Sequence, residues 1–154
     1  MLTHIKRYIV PLFIALSFST HACLLHPALN AQGTSTPKGA VWVDIQTQLA
    51  MQNGALEPAQ LQTGEAGFRQ VSWWLRLFTR MLSESGVTHS YIYIADIGLW
   101  AKHNVNGNVQ LELEVEPEQE SSNVIILSRQ TLQAIISQNL TYQQGVELGI
   151  VISS

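Results

Sequence analysis

Cysteine is almost missing from this 154-residue chain, which holds one thiol, Cys23. No disulfide can form within it, so its stability must come from a hydrophobic core, and the length is sufficient to build one. Basic residues are also few. Beyond residue 31 they are Lys38, Arg69, Arg76, Arg80, Lys102 and Arg129, and only the three middle arginines are placed to share a face. That spread argues against nucleic-acid or anionic-membrane binding, which needs a clustered basic surface. Catalytic motifs are absent as well. No G-x-S-x-G occurs to hold a nucleophilic serine, and no glycine-rich loop cradles phosphate. His89 and His103 have neither an i, i+4 partner nor the Cys or Glu neighbours of a metal site. His103 falls in a hairpin arm and is expected to face solvent beside Gln110 or Glu112. Asp44 and Asp96, the two aspartates, each follow a strand candidate, where turn-forming or capping Asp is common. The expectation is a protein that is not an enzyme, with no catalytic residues, metal or cofactor, although distant carboxylates can still assemble in a fold.

The N-terminus is more informative. Lys6 and Arg7 precede an apolar run from Tyr8 to Phe18, followed by two small-residue cleavage candidates, Thr20-His21-Ala22 and Leu29-Asn30-Ala31. The run is shorter than the roughly 20 residues needed to span a bilayer. Residues 1–31 are therefore expected to be a cleaved export signal, and the protein periplasmic or secreted. A lipoprotein signal ending at Cys23 is the lesser alternative, because Thr-His-Ala precedes it without the usual leucine. Loss of Lys6 and Arg7 leaves six basic against eleven acidic residues, a net charge near −5.

Residues 32–39 (QGTSTPKG) are expected to be a linker, and 40–154 a single domain. Ala40 to Ile45 is a strand candidate or the start of a helix running on through QTQLAMQN. GALEPAQLQTGEAG is expected to be loop with one helical turn. Phe68 to Ser85 carries Val71, Trp74, Leu75, Phe78, Met81 and Leu82 at three- and four-residue spacing, an amphipathic helix stopped by Gly86. Trp73 and Leu77 fall beside this stripe and widen it, either as a broad core contact or as the wall of a cavity. Strands follow at 90–95, 100–105 and 109–116, the last two flanking the hairpin signal Asn106-Gly107. Along 109–116 apolar residues alternate with Gln110, Glu112, Glu114 and Glu116, which gives one buried and one acidic, wetted face. EVEPEQESSN reads best as a solvated edge and turn rather than an acidic binding loop. Asn123 to Leu127 is a continuous apolar strand. Ser128 caps a helix, Thr141 and Gln144 form a capping box for a second, Gly149 closes it, and 150–152 returns as a strand.

This terminal order of elements, VIILSRQTLQAIISQNLTYQQGVELGIVI with Leu127, Leu132, Ile136, Leu140, Gly145 and Gly149, resembles the sterol-carrier-protein (sterol-binding) domain family over roughly residues 68–152. Gln138 stands where that family usually has glycine, and Gly145 where it has alanine. The chain ends at Ser154, before any further C-terminal helix that helps close the family's tunnel. The resemblance implies an α+β domain, with a mainly antiparallel sheet of about five strands, helices packed on one face, and an apolar pocket between them. It implies binding of a lipid or other apolar small molecule without a metal or cofactor.

Trp73, Trp74, Leu77, Phe78, Met81, Leu132 and Ile136 are the residues expected to line such a pocket, since large aromatics and a flexible thioether suit a loosely specified apolar ligand. Two functions follow. One is an exported, non-catalytic binding protein for a lipid or similar molecule. The alternative is an accessory or scaffolding protein of a bacterial cell-envelope system that uses the fold for contacts with an envelope protein partner.

Overall fold

The structure, a computed structural model, describes residues 35–118 and 123–154. The expected export signal with Cys23, the start of the linker and part of the acidic run lie outside the described residues. The remainder is an α+β domain, with four helices and a five-stranded mixed sheet that is mostly antiparallel. Its elements in chain order are α1 (Ala40–Gln52), α2 (Gly64–Glu84), β1 (His89–Ile94), β2 (Leu99–Asn106), β3 (Asn108–Leu113), β4 (Val124–Leu127), α3 (Arg129–Ile136), α4 (Tyr142–Glu147) and β5 (Val151–Ser153).

The strand order is β3-β2-β1-β4-β5, with β1 and β4 parallel and every other pair antiparallel. β4 sits between two partners and is buried at all four positions, as a continuous apolar strand requires. Strand alternation sends β1 residues to opposite sides. Ile92 and Ile94, with Leu99, Ala101, Ile125 and Leu127, meet Val71, Leu75 and Phe78 of α2 and Leu132 and Ile135 of α3. Tyr93, Trp100, Val124 and Ile126 meet Ala40 and Val43 of α1 on the other face. The single-face arrangement thus holds for α2, α3 and α4, while α1 begins on the reverse side and its far end, at Ala50, reaches the first core.

α1 resolves the choice between strand and helix at Ala40. As a helix it buries Ala40, Val43, Thr47 and Ala50, a row of small residues that lets the helix lie close to the sheet. The one hydroxyl in that row is satisfied internally, Thr47 Oγ1 donating to the Val43 carbonyl at 2.8 Å. Just before α1, the Trp100 indole Nε1 donates to the Ser35 carbonyl at 3.0 Å, so the segment from Ser35 onward contacts the domain.

α2 starts at Gly64, four residues earlier than the hydrophobic spacing indicates. The loop before it is tied to α3 by a two-way contact. The Ala59 amide donates to Gln130 Oε1 at 2.6 Å, and Gln130 Nε2 donates to the Ala59 carbonyl at 3.4 Å. β3 stops at Leu113 rather than Glu116, because Glu114 takes a left-handed backbone, φ 61°, that breaks the ladder. The Ser128 cap and the Thr141–Gln144 capping box are both present. α4 then lies against β5 through Gly145, where a Cβ would stand 2.7 Å from Val151 Cγ2.

Candidate ligand pocket

A cavity of about 450 Å³ opens at the end of the sheet where β1 and β4 begin and β5 ends. Its apolar wall comes from Phe78, Met81 and Leu82 near the end of α2, Ile125 of β4, Ile135 of α3 and Tyr142 of α4. The Phe78 and Tyr142 rings lie 6.2 Å apart, tilted by 32°, and tie the first and last helices of this layer together. The polar side is made of neutral groups, namely Ser85, Thr88, Ser90, Asn123, Ser153 and Ser154, with His89 beside them. None of the lining residues is Lys, Arg, Asp or Glu. Such a space suits an apolar body with hydrogen-bonding groups at one end.

Of the residues expected from the sequence, Phe78 and Met81 line this cavity. Leu132 is fully buried in the core beneath α3. Trp74 and Ile136 are half-buried against the same core, and Leu77 is half-buried on the flank of α2. Trp73 is 58% exposed. It lies two residues beyond Val71, about 200° round a helix, so it faces away from the core rather than widening its stripe. The lining residues that spacing did not find, such as Val87, Ser90 and Tyr142, come from the α2–β1 connection, β1 and α4. Gly86 was the available signal for the first, since a helix stop there turns the chain back across the end of α2.

His103 is fully buried, which corrects the expectation of a solvent-facing residue. The period of two along β2 places it with Leu99 and Ala101 on the α2 side, and its cross-strand partner is Ser90. His103 Nε2 lies 3.1 Å from Ser83 Oγ of α2, and Nδ1 lies 3.4 Å from Ser90 Oγ. A neutral imidazole has one donor and one acceptor, and two hydroxyls satisfy both. Burial, and secondarily the neighbouring His89, lower its pKa from the usual 6.5. Ser90 also lines the cavity, so this hydrogen-bonded group forms part of its supporting wall.

A second polar cluster is structural. Asp96 Oδ1 accepts from the Arg129 amide at 2.9 Å, and Oδ2 accepts from Arg129 Nε at 2.6 Å. Arg129 Nη1 also donates to the Gln62 carbonyl at 3.3 Å. The β1–β2 turn, the start of α3 and the loop before α2 are joined at this one point. Among the described residues no group of three or more His, Cys, Asp or Glu comes together to hold a metal, and no helix is long and apolar enough to cross a membrane. No family model matches the chain, and no curated protein matches it.

Proposed function

We propose that this is an exported, non-catalytic binding protein that carries a lipid or another apolar ligand in the cavity between α2 and the start of β1 and β4. The observation that carries this reading is the cavity itself, an apolar wall facing a neutral hydroxyl and amide side, at a volume within the range of small-molecule sites, about 300–1,000 Å³. The ligand class agrees with what the sterol-carrier resemblance implies, and export rests on the basic and apolar pattern of the first 31 residues. The accessory or scaffolding role has one observation in its favour, the exposed apolar residues of α1.

Native mass spectrometry of protein purified without detergent tests the proposal. Extra mass that disappears on organic extraction is the expected result. Met81→Trp, which fills the cavity from a half-buried position, should weaken uptake of Nile red at least tenfold. A bare chain that also takes up no Nile red would overturn the binding reading and favour contacts with an envelope protein.

A further inference from the structure

The polar end of the cavity is backed by a buried base. His89 and Ser90 line the cavity at the start of β1. Behind Ser90 lies the His103 ring, with no exposed surface, its Nδ1 3.4 Å from Ser90 Oγ and its Nε2 3.1 Å from Ser83 Oγ. One hydroxyl therefore separates the imidazole from the space a ligand would fill. The surroundings of the ring are largely uncharged. β3 sets Leu111 opposite it, and the paired Lys102 and Glu112 point to the other face of the sheet. α2 presents Ser83, while the charged residues beside it, Arg80 and Glu84, are exposed. β1 supplies a titratable neighbour, His89, whose charge bears on the ring. Among the described residues no carboxylate pairs with His103.

We infer that a proton and the apolar ligand compete for this protein: with His103 neutral the cavity holds its ligand, and protonation of His103 releases it. The inference rests on the binding function proposed above and adds its regulation. A neutral imidazole has one donor and one acceptor, which the two hydroxyls satisfy. Once protonated it donates from both nitrogens, so neither serine can give its own hydrogen to the ring. Ser83 is half-buried and can turn that hydrogen to solvent, whereas Ser90, 2% exposed, turns it towards the cavity. Water there accepts it and helps to hydrate the new charge, and an apolar ligand does neither. The cation is therefore less stable in the ligand-filled protein than in one whose cavity holds water. Binding linkage is reciprocal, so a ligand that opposes the proton is opposed by it to the same degree.

The direction follows from the same burial. Desolvation, and secondarily His89, hold the His103 pKa below its usual 6.5, so binding is at full strength above that pH. Affinity falls as pH drops through the lowered pKa of the ligand-free protein, by at most about tenfold per pH unit for one proton. It levels off once the ligand-bound form is protonated as well.

Fluorescence titration of the purified protein with Nile red, an uncharged probe, between about pH 8 and pH 5 tests the coupling, with circular dichroism at each pH to establish that the domain is folded. The Kd should weaken at least threefold across that range. His103→Gln, whose amide donates and accepts but takes up no proton, should bind at pH 8 within about twofold of the parent and lose the pH dependence. His89→Gln should keep it. NMR of the parent gives a reading that needs no variant, since the His103 ring should titrate at lower pH with Nile red bound than without it. A pH-independent Kd in the folded parent, a dependence kept in His103→Gln or lost in His89→Gln, or equal His103 midpoints with and without the dye would overturn the inference and leave the binding reading standing. No uptake of Nile red at pH 8 would overturn both.

Discussion

Acidification should destabilise this domain through one buried side chain, His103. Its pKa is lowered in the folded protein by burial first and by His89 second, while in the unfolded chain it returns to about 6.5. As pH falls, the unfolded state therefore takes up a proton before the folded state does. The stability linked to His103 is fully present above about pH 6.5, and it is lost as pH drops from there towards the folded pKa. Within that window the slope approaches about 1.4 kcal/mol per pH unit for one proton. His103→Leu removes the titration but leaves the buried Ser90 hydroxyl without its ring partner, so it should cost about 1–3 kcal/mol at pH 8. Urea denaturation of parent and variant from pH 8 to pH 5 gives the comparison, because only the parent carries the His103 titration. The stability gap should narrow as pH falls below 6.5. Parallel curves, or an NMR titration of the His103 ring with a midpoint at or above 6.5, would refute the reasoning.

Three further outcomes are expected. Gly145→Ala, which would favour an isolated helix by about 1 kcal/mol, should instead destabilise the domain, because the new methyl meets Val151 Cγ2; adding Val151→Ala should recover part of the loss in thermal melts. Asp96→Ala removes the acceptor for both the Arg129 amide and Nε in a half-buried site, and should lower stability by about 1–3 kcal/mol, with faster hydrogen exchange at the start of α3. Trp73→Ser should change stability by less than about 0.5 kcal/mol and leave Nile red uptake unaltered, since the side chain is mostly exposed and lies away from the cavity.

Local features were legible wherever one element decides them. The α2 stripe, the Ser128 cap, the Thr141–Gln144 capping box and the buried β4 strand depend on near neighbours in the chain, and each appears in the fold. The structure differs where the side a residue faces depends on its place in the helix turn or strand pleat. Trp73 looked like part of a wide stripe because it sits beside Trp74, yet a helix turns it to the far side. A place beside Gln110 or Glu112 points His103 to solvent, whereas its partner on β3 is Leu111 and strand parity with Leu99 and Ala101 sends it inward.

The sequence by itself determined the α+β class, the single cysteine and hence the absence of an internal disulfide, the scarcity of basic charge, and the turns and caps that punctuate the C-terminal half. Tertiary structure decided the rest. It set α1 on the reverse face of the sheet, gathered the cavity from the ends of α2, β1, β4 and β5, and placed Ser83 and Ser90 on either side of His103. Those are contacts between residues far apart in the chain. No local pattern encodes them, because they depend on strand order, and strand order follows from how all the apolar faces find cover at once.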